Sequence, residues 1–182
     1  MRDLPAVVRD GGLLDGAAGV VVLLSGGRDS VALLDVCATV LGPERVHALH
    51  VNYGLRDEAD GDEEACAAVC RRLEVALDVE PARPRPRGGN LQSWARDTRY
   101  AAGARRAGAH PGWLLAAGHT ADDQAETILY RLAASPGRRA LLGMEPRRGL
   151  LVRPLLGVTR AETGAWCSSR GLPWRDDASN ET

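Results

Sequence analysis

Residues 20–34 read VVVLLSGGRDSVALL, five apolar residues running through a glycine turn into a helix-like pattern. Gly26 and Gly27 let backbone N–H groups approach an anion closely, and the helix start behind them favours negative charge. The hydroxyls of Ser25 and Ser30 add donors. The glycines are adjacent and no third follows, so this is not the dinucleotide fingerprint. Asp29 would repel a bare polyphosphate. A carboxylate here implies a divalent cation shared with phosphate oxygens, and Mg2+ suits because it keeps its waters beside one or two carboxylates. The plainer reading makes Asp29 an acid at a helix start.

Two further stretches carry comparable chemistry. GHTADDQAET, residues 118–127, sets Asp122, Asp123 and Glu126 at the start of a helical pattern. Thr120 with Asp123 forms a box-like cap, which accounts for one acid and not for all three. Asp122 and Glu126 lie one turn apart, so both can face a cleft. His119 reads equally as a structural histidine and as a substrate contact. ARDTRY, residues 95–100, offers Arg96, with Arg99 and Tyr100 three and four residues on. A guanidinium has the fork geometry for phosphate oxygens and spreads charge as a leaving group departs.

These residues need a frame that brings them together. Strands are expected near 20–24, 46–51, 75–79, 113–117 and 150–153, with helices near 28–41, 60–74, 91–108, 120–134 and 159–170. That alternation predicts an α/β fold, a Rossmann-like parallel five-stranded sheet with helices on both faces. VVVLL and WLLAA are continuous apolar runs, as strands buried on both sides must be. Ligands of such sheets bind beyond the carboxyl ends of the strands, where SGGRDS, HVNYGLRDE and GHTADDQAET would converge. The helix announced by DEADGDEE ends in Arg71 and Arg72, which matches the helix dipole. PARPRPRGGN (81–90) and SPGRRALLGMEPRRG (135–149) read as irregular segments.

Composition narrows the chemistry. Of 182 residues, 45% are apolar and 26% charged, the balance of a folded globular chain. All 23 basic residues are arginine. Without lysine there is neither a Walker-type phosphate loop nor a Schiff-base enzyme. The net charge of −1 requires any nucleic acid to meet a local patch, and Arg138, Arg139, Arg147, Arg148 and Arg153 supply one against the single acid Glu145. Cys66 and Cys70 are spaced as helix neighbours and fit buried packing better than zinc or a disulfide. Most of Trp94, Trp113, Trp166 and Trp174 are expected to pack rather than stack on a base. No stretch reads as a membrane span or a secretory signal, so a cytoplasmic chain without membrane contact is expected.

SGGRDS after a buried strand resembles the pyrophosphate-binding loop of the PP-loop ATP pyrophosphatases, of adenine nucleotide alpha hydrolase-like fold. Together with HVNYGLR, ARDTRY, GHTADDQAET, LVRPLL and DDASN in that order, it resembles the tRNA(Ile)-lysidine synthetases within that superfamily, over roughly residues 20–180. The resemblance implies one catalytic domain over 1–182, without the family's C-terminal tRNA-recognition regions. It assigns Ser25, Gly26, Gly27, Arg28, Asp29 and Ser30 to ATP phosphates, Asp29 also to Mg2+, and His50 and Asn52 to the adenosine side. Arg96 is matched to the family's ATP-contacting arginine. Asp122 or Asp123 would take a proton from the lysine ammonium, while Glu126 and His119 would contact substrate. Tyr53 stands where many relatives have histidine.

The implied reaction is ATP-dependent. The C2 oxygen of the wobble cytidine of tRNA(Ile), anticodon CAU, is adenylated, and free L-lysine then displaces AMP to give lysidine. The implied class is a carbon–nitrogen ligase of tRNA processing, releasing AMP and diphosphate. A tRNA thiolase, a small-molecule ATP pyrophosphatase and a non-catalytic nucleotide-binding module are the rival readings. Oligomeric state, a homodimer included, is left open by the sequence.

Overall fold

The computed structural model describes residues 1–54, 59–82, 88, 90–135 and 137–175. The LR of HVNYGLR, most of PARPRPRGGN and the whole of DDASN lie outside the described residues. The central sheet contains β1 (Gly19–Leu23), β2 (Val46–Asn52), β3 (Ala76–Pro81), β4 (Trp113–Ala116), β5 (Arg147–Arg148) and β6 (Leu151–Val152). Their order is β3-β2-β1-β4-β6-β5. The five expected strands are all parallel. The sixth, β5, is an antiparallel edge formed where the chain doubles back on itself, within a stretch expected to be irregular. Such an edge strand is common on parallel sheets and needs only a short turn.

The helices are α1 (Leu4–Asp10), α2 (Arg28–Leu41), α3 (Ala59–Leu73), α4 (Leu91–Gly108), α5 (Ala121–Ala134) and α6 (Arg160–Ser169). The sequence pattern anticipates all but α1, whose seven residues are too few to show a helical period. β1 is buried from end to end because it has a core on each side. Val20, Val22 and Leu24 pack with side chains of α1, α2, α3 and α6. Val21 and Leu23 face the opposite way, against Ala102 and Ala107 of α4. The period of two along a strand divides five consecutive apolar residues between two layers.

α6 docks on α2 through a buried polar contact. Asp35, 1% exposed, accepts a hydrogen bond from Trp166 Nε1 at 2.8 Å and forms an ion pair with Arg170 Nε at 2.7 Å. Burying a carboxylate requires such partners. The four cysteines are free and buried, and burial pushes the Cys66 thiol up to about 12. Trp113 likewise packs internally, edge-on to His47 at 5.3 Å. Among the described residues no helix is long and apolar enough to cross a membrane.

Candidate active site

β1 and β4, the two central strands, end side by side, and each delivers a helix to one cleft. The β1 turn is closed by its own serines. Ser30 Oγ donates to the Gly27 carbonyl at 2.8 Å, accepts from the Ser25 amide at 3.2 Å and lies 3.1 Å from Ser25 Oγ. Gly26 has φ of +87°, which glycine adopts without strain. α2 then starts at Gly27 without a side-chain cap. Its first amides therefore remain available to an anion. Gly118 crosses this start so closely that a Cβ there would lie 3.0 Å from the Asp29 carbonyl oxygen.

The cleft above the turn has a volume of about 420 Å3 and is lined by Ser25, Gly27, Arg28, Asp29 and Ser30, by Arg99 and Tyr100 of α4, by Gly118, His119 and Asp123, and by Arg160 and Arg175. Buried Nε atoms of Arg28 and Arg99 have no hydrogen-bond partner within the described protein. Buried donors left unmet are costly, and both residues line a cleft that Arg160 and Arg175 also border, a cationic wall suited to an anionic occupant. Asp29 is bonded by the Thr163 hydroxyl and lies 3.6 Å from Arg28 Nε. Burial raises its carboxyl above the ordinary range, only partly offset by Thr163 and Arg28.

The other wall is organised differently. Thr120 and Asp123 form a full capping box at the start of α5. Arg160 then gathers the acids, its NH2 donating to Asp123 Oδ1 at 2.6 Å and its NH1 to Glu126 Oε1 at 2.7 Å. Its backbone N–H donates to Asp122 Oδ2 at 2.8 Å. Burial raises the Asp123 carboxyl, but the bonds from Thr120 and Arg160 outweigh it and hold it below the usual range. His119 accepts at Nδ1 from Arg153 Nε, 3.1 Å away, so its proton sits on Nε2, 3.4 Å from Tyr100 Oη. Burial and then the Arg153 charge push this imidazole down to about 4.

Several sequence assignments change place. His50 is buried, its Nδ1 2.9 Å from the Leu24 carbonyl oxygen, and it does not line the cleft. Asn52 is tied to Glu63 and to the Gly54 amide, in a separate hollow of about 380 Å3 beside Tyr53. Arg96 is exposed with its guanidinium 5.0 Å over the Tyr100 ring, and Arg99 enters the cleft instead. A helix advances 100° per residue, so only contact with the sheet decides which of two arginines three apart faces inward. Asp122 and Glu126 share a side of α5 as their spacing requires, but they meet Arg160 and do not line the cleft. Arg153 is 7% exposed and holds His119, so it leaves the surface patch to Arg138, Arg147 and Arg148, all exposed. Arg160 and Thr163 went unread because nothing local distinguishes them. The T-x-x-E box at Thr159–Glu162 marks where α6 begins, not what it touches.

A strand–glycine turn–helix with an anion-ready floor and an acid at its second helical residue also defines a known domain. A PP-loop domain model matches residues 2–182. The chain belongs to the PP-loop domain family. Among curated proteins, this PP-loop domain is 42% identical over 173 residues to a tRNA(Ile)-lysidine synthase of Pseudomonas fluorescens, covering 91% of this chain and 38% of that one. It is 40% identical over 191 residues to the enzyme of that name from Pseudomonas aeruginosa, covering 98% and 42%. The chain thus spans about two-fifths of the length of these relatives. In fold, the PP-loop domain is similar to the U34-tRNA thiolase NcsA from Methanococcus maripaludis, at TM-score 0.78 and 16% identity over 95% of this chain and 65% of that one. It is also similar to a glutamine-dependent NAD+ synthetase from Acinetobacter baumannii in complex with ADP, at TM-score 0.67 and 18% identity over 92% and 31%.

Proposed function

We propose that this PP-loop domain is the ATP-pyrophosphatase part of a tRNA(Ile)-lysidine synthase, adenylating the wobble cytidine at C2 and passing it to free lysine. The observation that carries the reading is an uncapped helix start opening onto a cleft lined by Arg28, Arg99, Arg160 and Arg175. Relatives about 40% identical and bearing that enzyme's name supply the substrate class.

In this reading the amides after Gly27, with Ser25 and Ser30, hold the β- and γ-phosphates. Arg99 reaches the α-phosphate and stabilises charge as pyrophosphate leaves. Asp29 fits Mg2+, being one desolvated carboxylate opening onto a phosphate site with Asp123 nearby. Among the described residues no group of three or more His, Cys, Asp and Glu forms an all-protein cage, which suits an ion completed by phosphate and water. When bound, the ion neutralises phosphate charge and steadies the leaving pyrophosphate.

His119, neutral and protonated at Nε2, is a hydrogen-bond donor suited to a base carbonyl, not a proton acceptor. Asp123, held below the usual range, is a poor base and serves as an orienting group. Glu126, 63% exposed, holds the lysine amine and passes its proton to solvent. Exposed Arg138, Arg147 and Arg148 meet RNA phosphates in a salt-sensitive way.

The test is pyrophosphate release. Sustained release over many turnovers should require ATP, Mg2+, tRNA(Ile) and lysine together, since lysine clears the adenylate, and Asp29→Asn should abolish it while weakening nucleotide binding far less. Sustained turnover that ignores lysine, or near-normal turnover by Asp29→Asn, defeats the reading.

A further inference from the structure

Arg160 meets all three acids at the start of α5 among the described contacts, Asp123 and Glu126 through its guanidinium and Asp122 through its backbone N–H, and both helices carry caps of their own. α6 is capped by Thr159 and Glu162, and its first backbone N–H is met by Asp122. α5 is capped by Thr120 and Asp123. The guanidinium itself bonds only to Asp123 and Glu126. With Arg160 30% exposed and Glu126 63% exposed, solute can reach this pair.

We propose that Arg160 is the resident counter-cation of the amine subsite, a positioning residue whose guanidinium the substrate's ammonium displaces from Glu126 and in part from Asp123. This rests on the lysine reading above. With Arg160 in place, no bare carboxylate pair is exposed in the empty site. It also sets the reactivity of the nucleophile. An amine between two uncompensated carboxylates is held as the ammonium, which cannot attack. Arg160, remaining alongside, weakens that hold and lets the proton leave. Arg160 thus loosens lysine and quickens it.

The opposing effects make the test specific. Lysine binding to the 182-residue chain is titrated by calorimetry with Mg2+ and a non-hydrolysable ATP analogue, and lysine-dependent pyrophosphate release is followed alongside. Arg160→Gln should bind lysine about fivefold more tightly, as expected from losing two partly exposed ion-pair competitors. Its KM for lysine should fall and its kcat should fall with it. Arg160→Lys, which pairs one carboxylate at a time, should lie between, at about twofold, and it decides the matter should the glutamine variant not fold. A KM that rises as kcat falls, or a lysine affinity indifferent to residue 160, overturns the inference while the lysine reading stands. A parent chain that binds the nucleotide and no lysine overturns both.

Discussion

α2 and α5 start at the ends of neighbouring strands and face one cleft, yet they are held by opposite means. Eight residues of α2 are buried, from Ser30 to Cys37, while α5 has none buried. α2 begins uncapped at Gly27, and α5 begins with a complete capping box reinforced by Arg160. The helix fixed by its core can leave its first amides unmet, because apolar packing pays for the arrangement. The helix without a core share must satisfy its own start, so its acids are engaged before any substrate arrives. One wall is therefore a ready anion site. The other is a closed charge cluster.

The strongest way to break this comparison is at the unmet donors. Arg99→Ala should lower pyrophosphate release by about 100- to 1,000-fold, the usual loss for one transition-state donor. Arg96→Ala, stacked on Tyr100 outside the cleft, should cost less than about threefold by the same measure. Equal losses would show that the inward and outward arginines are wrongly distinguished.

A smaller effect tests the capped wall through pH. The folded His119 sits at about 4, below its ordinary 6.5, so the unfolded chain takes up the proton first as pH falls. Its contribution to stability is complete above about pH 6.5 and is lost on descending to 4. Chemical denaturation across that window should show wild type losing about 2–3 kcal/mol more than His119→Gln. Parallel curves would remove the buried neutral imidazole from the account. The smallest effect is at the cap itself. Thr120→Ala should lower unfolding free energy by about 1 kcal/mol, and no loss would show that Arg160 alone secures the start of α5.

The sequence showed this architecture well where the signal is periodic. Five strands and five long helices fell where apolar spacing put them, because burial on two faces or one leaves a repeating mark. The form of the glycine turn was equally legible, since Gly26, Gly27, Asp29 and Ser30 lie close together in sequence and their geometry is local. Legibility failed wherever a role depends on an approach between distant elements. His50 looked like a ligand contact from its place at a strand end, yet it turns into the core toward the Leu24 carbonyl. Arg153 looked like surface charge and is the buried partner of His119.

By itself, then, the sequence determined the layered frame, the glycine turn at the end of β1 and a basic complement made of arginine alone, all matters of local spacing or residue type. Tertiary structure alone decided that Arg99 and not Arg96 enters the cleft, that Thr163 bonds Asp29, and that Arg160 claims the acids of α5. Those outcomes depend on how α4 and α6 rotate against the sheet and against α2, and a side chain's direction after packing leaves no mark in the order of residues.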